Sequence, residues 1–203
     1  MLACGVAAPA TAIATTLVAM AADPRLNPAR HYISELGGIA APTHALFNDG
    51  VLVTSVLATL AGGGFGLALG LLTQARIVAL LTAGLFAMSG FGMAEAAVFP
   101  WPDPRHMAIN LALGIEFAPL LLVWGLRSRN DAARLRVFLI AAFAVMALLA
   151  VLPRHLLLPR LFNDANVGWW ERIYALVLVG WVAVAAVSLD RRLRDAMKAV
   201  SAA

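Results

Sequence analysis

His31, His44, His106 and His155 are the four histidines of this 203-residue chain, and they lie in or beside segments that also carry Asp23, Glu35, Asp49, Asp103, Asp164 and Glu171. Imidazole and carboxylate together support two kinds of chemistry. They pass protons near neutral pH, or they hold a divalent metal, and three histidines with a carboxylate would suit zinc. The four histidines are therefore the candidate metal ligands. No compact ligand motif is present, neither His-Glu-x-x-His nor His-x-x-x-His nor Cys-x-x-Cys, so a ligand set has to converge from separate segments. The catalytic candidates are His106 as base with Asp103 as its orienter, and Ser34 and Glu35 from the polar run His31 to Gly38. No Gly-x-Ser-x-Gly elbow frames Ser34 as a nucleophile. Arg30 and Arg105 stand beside these groups and offer planar forks of donors to an anionic substrate group. Contact with lipid head groups or with neighbouring acids is the plainer use of such arginines.

Composition sets the elements that must position these groups. Apolar residues make up 62% of the chain and charged residues 13%, against roughly 25% charged in soluble domains. Mean hydropathy is +0.86, and the apolar residues fall in blocks of about 20, the length that spans a hydrocarbon core. Burying all those blocks in one soluble core would leave too little polar surface. The chain therefore reads as one all-helical integral membrane domain over residues 1–203, with spans at about 3–21, 45–72, 77–98, 106–126, 135–153 and 169–189.

The first span is read as a retained helix. Ala19-Met20-Ala21 resembles a small-residue cleavage site, but no Lys or Arg precedes Arg25 to form the basic region of a signal. Cys4, the single cysteine, excludes an internal disulfide and is read as a small apolar residue. The run Leu2-Ala3-Cys4-Gly5 resembles a lipoprotein box without its leader.

Basic residues orient the spans. Arg76, Arg127, Arg129, Arg134, Arg136, Arg191, Arg192, Arg194 and Lys198 fall on one side, and Arg25, Arg30, Arg105, Arg154, Arg160 and Arg172 on the other. The positive-inside rule makes the first side cytoplasmic, so both termini are expected there, in a bacterial inner membrane, with all four histidines outside. A basic stripe of the kind that binds nucleic acid is lacking.

Within the spans, Glu116 is the costliest residue. It is expected near the middle of the fourth span, roughly 15 Å below His106, where an ionised carboxylate needs pairing, water or a proton. Either it is a neutral acid bonded to another helix, or it carries protons or floors a polar cavity. Glu95 near the outer end of the third span, and Asn110 one turn after His106, would line the same cavity as substrate-binding groups. Gly62, Gly66 and Gly70 form a small-xxx-small ladder, a device for close helix packing within one chain or between copies. The adjoining Gly62-Gly63-Gly64 run is expected to loosen the helix. Glu171 and Arg172 read as a surface pair. Trp101, Trp169 and Trp170 suit an aromatic belt.

The first outer loop, residues 22–44, is long enough to act as a lid or re-entrant element. Its Ile33-Ser34-Glu35-Leu36-Gly37, followed by Phe47-Asn48 with Gly50, and then Phe99-Pro100, Asp103 and His106, form an ordered set. On these motifs the chain resembles the domain-of-unknown-function 998 family, prokaryotic membrane proteins with about six spans. The resemblance implies that the outer-face motifs belong together, and it implies no activity or cofactor. A looser similarity is to membrane hydrolases such as the alkaline ceramidases, which use serine, aspartate and histidines with zinc. This chain lacks their closing histidine pair on the last span.

Three functions fit this reading. One is an outer-face site that binds or hydrolyses a lipid or amphipathic substrate, zinc being a candidate cofactor. Another is a small proton-coupled carrier using Glu116 and Glu95. The third is an accessory subunit, with membrane lipid and a second copy bound through Gly62, Gly66 and Gly70 as the expected partners.

Overall fold

A computed structural model describes residues 1–107, 114–151 and 163–201. Asn110 and His155, with Arg154 and Arg160, lie outside the described residues. Among the described residues six α-helices run in chain order: α1 (Cys4–Ala22), α2 (His44–Thr73), α3 (Arg76–Val98), α4 (Gly114–Gly125), α5 (Ala133–Val151) and α6 (Val167–Ser201). Five helical stretches are long and apolar enough to cross a membrane, and the described part of α4 is a shorter apolar helix. This is a membrane protein with several spans. Its exterior agrees, because Leu17, Val53, Leu71, Ile77, Leu80 and Leu176 are all exposed. In water such a surface would be an aggregation patch; in lipid it is the solvated face.

The bundle is held where helix backbones come closest. A Cβ at Gly62 would lie 2.4 Å from the Cβ of Phe86, one at Gly66 2.9 Å from the Ala79 carbonyl, and one at Gly90 2.2 Å from Thr59 Oγ1. In lipid, where apolar burial gives little net drive, this close approach is what brings α2 and α3 together. Two rungs of the ladder are thus taken up inside the chain, while a Cβ at Gly70 meets nothing within 4 Å. Beside the glycines, Phe65 and Phe86 stack at 4.9 Å between ring centroids, and Trp181 of α6 meets Phe86 edge-on at 5.9 Å. The triple-glycine run leaves α2 an unbroken helix, since Met1 and Leu2 lie directly over Gly63 and Gly64.

Helix direction alternates, so residues 23–43, 99–107 and 163–166 gather at one end of the bundle, termed here the loop face. The turn before Arg76, the 126–132 connection and the end of α6 gather at the other. α6 exceeds the expected span: its 35 residues reach about 50 Å at 1.5 Å each, past a core of about 30 Å. Its last turns therefore carry Arg191, Arg192, Arg194 and Lys198 beyond the apolar slab. His106, where the fourth span was expected to begin, lies in a 3-10 turn over Pro104–Met107; residues 108–113, which follow, lie outside the described residues.

Substitutions along the ladder separate packing from mere composition. Gly62→Ala should cost about 1–3 kcal/mol, because Phe86 has to move. Gly70→Ala should be neutral, or stabilising by up to about 1 kcal/mol through helix propensity. Thermal unfolding in detergent checks both, and equal losses at the two positions would contradict this packing.

Candidate functional site

The loop face is built on the 3-10 turn Ile33–Gly37. So short a turn leaves amides at its start and carbonyls at its end without internal partners. Side chains supply them. At the start, Glu35 Oε1 accepts the Tyr32 amide at 2.8 Å, and a Glu171 carboxylate oxygen accepts the Ile33 amide. At the end, Thr43 Oγ1 donates to the Leu36 carbonyl at 2.8 Å. His44 Nδ1 and Asn48 Nδ2 converge on the Gly37 carbonyl at 2.7 and 2.9 Å. Because that oxygen only accepts, His44 carries its proton on Nδ1. Gly37 is required by this junction, since a Cβ there would fall 2.3 Å from Asn48 Oδ1. The motif residues Ile33 to Gly37, Phe47 and Asn48 thus form one docked unit, closed beneath by Leu36, Phe47 and Ala19.

A second junction ties this unit to α6. Gly168 donates its amide to Ala29 O at 2.8 Å, and Arg172 Nη1 donates to His31 O at 2.8 Å and Gly168 O at 2.9 Å. A side chain at Gly168 would meet the His31 and Pro28 carbonyls, both at 2.5 Å. Glu171 and Arg172 are therefore not the surface pair expected from sequence. Both are partly buried, and one holds the amide side and the other the carbonyl side of the first loop. A third junction, Ile39 N to Trp101 O at 3.1 Å, joins the first loop to the second.

The second loop has its own helix-end closure. His106 Nδ1 donates to the Phe99 and Ala96 carbonyls, at 2.8 and 3.0 Å, and so ends α3. Asp103 does not orient His106. Its carboxylate accepts the Arg105 amide at 2.8 Å and the Arg105 side chain at 3.0 and 2.8 Å. Arg105 also lies 4.0 Å over the Phe99 ring. Asp23 and Arg25 repeat the device, with the Arg25 amide and Nε both 3.1 Å from Asp23 Oδ1. The recurrence of Asp-Pro-Arg at 23–25 and 103–105 is a sequence signal for this turn, which the reading of separate acids and arginines missed.

The loops border an open cleft of about 360 Å³, lined among others by Asp23, Arg25, His31, Glu35, Ile39 and Trp101. His31 differs from His44 and His106: its Nδ1 accepts the Asn27 amide at 3.0 Å, so its proton sits on Nε2. Of the expected site residues, the cleft brings together His31 and Glu35. Ser34 is half-buried and Arg30 exposed, and neither lines it. No hydrogen bond among the described residues reaches Nε2 of His44 or His106, and an imidazole held through Nδ1 is the pattern of a metal-bound histidine. Among the described residues, however, no three His, Cys, Asp or Glu side chains gather as a metal-binding group. Glu95 is half-buried near the end of α3. Glu116 is buried in α4 and engaged within the chain.

Two predictions follow from these junctions. Glu171→Ala should expose residues 24–41 to limited proteolysis, increasing the cleavage rate several-fold, while Glu171→Gln, which keeps an acceptor for Ile33, should stay near the native rate. Equal rates in all three proteins would contradict the clamp. The second concerns acid. The Arg105 side chain and amide hold the Asp103 carboxyl at about 2, below its ordinary 3.8. The ion pair's contribution is complete above the unfolded-chain value and lost as pH falls from about 4 toward about 2. Pepsin cleavage within 99–107, normalised to a control peptide, should rise across that interval in the native chain and stay flat in Asp103→Asn. A flat native profile would contradict the pairing.

The family model described as "Protein of unknown function (DUF998)" matches residues 6–188. No curated protein and no solved structure matches the chain. With the match covering nearly all six helices and every motif of the loop face, the chain belongs to the DUF998 family of proteins of unknown function.

Proposed function

We propose that the loop face binds the polar part of an amphipathic, lipid-like molecule, in a bacterial inner membrane with the loops on the periplasmic side. One observation carries this reading: a cleft of about 360 Å³ in which Asp23, Arg25, His31 and Glu35 adjoin Ile39 and Trp101. Ile39 is 67% and Trp101 44% exposed, apolar surface left bare next to charge. The volume falls in the range of about 300–1,000 Å³ usual for ligand sites. Its place at the helix ends supports the reading as well, since the lining begins where α1 ends at Ala22 and continues past the end of α3 at Val98; a site there would meet head groups and leave a bound lipid's chains in the bilayer.

Binding is favoured over zinc-dependent hydrolysis because His106 and Asp103 do not face each other and Ser34 does not line the cleft. A carrier role for Glu116 finds less support, since that residue is buried in α4 and does not line the cleft.

Filling the cleft tests the reading. Ala40 lines it and is exposed, so Ala40→Trp obstructs the space without removing a packing contact. Lipid retained after detergent delipidation, counted by native mass spectrometry, should fall at least about tenfold in that variant. Undiminished retention in a folded variant would contradict the proposal.

A further inference from the structure

Resting on the reading of the cleft as a head-group site, we infer that its ligand carries an ammonium beside a phosphate, as in a zwitterionic phospholipid, and not a purely anionic head group. The hydrogen-bonding groups left over in the cleft select the ligand. Asp23 is buried and paired with Arg25, its Oδ1 receiving the amide and Nε at 3.1 Å and its Oδ2 Nη2 at 3.5 Å. That pairing leaves Arg25 Nη1 without a hydrogen bond among the described residues, on a side chain that is 66% exposed. His31 has its Nδ1 occupied by the Asn27 amide and presents Nε2–H. Glu35 has Oε1 occupied by the Tyr32 amide, and its Oε2 has no hydrogen-bond partner among the described residues. The cleft therefore offers two donors and one carboxylate oxygen.

The charges sort the ligands. Arg25 is paired with Asp23, whereas Glu35, although the Arg172 and Glu171 charges act on it from behind the turn, forms no ion pair within 4 Å among the described residues and keeps Oε2 open to the cleft. A phosphate alone would gain from Arg25 and His31 but lie against Glu35, and like charges across an interface cost several-fold in affinity or more. A phosphate with an attached ammonium gives each group an opposite partner, through charge-assisted hydrogen bonds. The exposed Trp101 ring provides an aromatic face of the kind that attracts cations. The arginines first expected to hold an anionic group are placed otherwise: Arg105 is closed on Asp103 and Phe99, and Arg30 does not line the cleft.

The test is competition for head-group class in nanodiscs holding equal phosphatidylethanolamine and phosphatidylglycerol. Native mass spectrometry of the wild-type protein should show the ethanolamine lipid enriched at least about fivefold. Glu35→Gln keeps an acceptor for the Tyr32 amide but removes the charge, so the ratio should drop to near one with total bound lipid retained. Soluble glycerophosphoethanolamine should displace the lipid and glycerophosphoglycerol should not, which assigns the recognition to the head group and not to the acyl chains. Equal or reversed enrichment in the wild type would overturn the head-group class while leaving the site intact, provided Ala40→Trp still sheds lipid. If Ala40→Trp sheds none, the site itself fails. A Glu35→Gln ratio unchanged from wild type, in a protein with native thermal stability, would overturn the role of Glu35.

Discussion

A polypeptide leaving a helix at the edge of a membrane must find a partner for every amide and carbonyl it exposes, and the loop face of this protein is organised by that requirement. Its main turn, Ile33–Gly37, takes two carboxylates on its amide end and a threonine, a histidine and an asparagine on its carbonyl end. The end of α3 takes His106 in the same way. An unsatisfied buried polar group costs about 1–3 kcal/mol, so these side chains fix the loops before any ligand is considered. What remains unspent (His31 Nε2–H, Arg25 Nη1 and Glu35 Oε2) gathers around one cleft.

The helical frame beneath follows from a different constraint. Lipid does not drive helices together as water does, so contact depends on backbones approaching closely. Gly62, Gly66 and Gly90 permit that approach between α2 and α3, and the Phe65–Phe86–Trp181 cluster extends it to α6. The chain's ends of helix are thereby held at defined positions, and the first loop can meet the second across them, as Ile39 does with Trp101.

Much of this frame was legible in sequence. Spans are a matter of hydropathy and length, and the glycine ladder declares close packing through its spacing alone. The family resemblance rested on residues that now prove to be joints: Gly37 against Asn48, and His106 on the α3 carbonyls. The site was less legible, for a physical reason. A histidine that binds metal, one that moves protons and one that closes a helix end are the same residue, and only the atom opposite Nδ1 separates them. Asp103 looked like an orienter for His106 because they are close in sequence, yet its partner is Arg105. Glu171 and Arg172 looked superficial because they are charged and sit in the first turns of a helix. The polar loop that covers them cannot be seen from their neighbours in the chain.

Among the described histidines, His44 and His106 serve the fold and His31 faces the ligand. Histidine ¹⁵N NMR of the protein in nanodiscs, with and without glycerophosphoethanolamine, tests this division most directly. Nδ1–H imidazoles that do not respond to the ligand are expected at His44 and His106, and an Nε2–H imidazole that does respond is expected at His31. A response at His44 or His106 with none at His31 would contradict it.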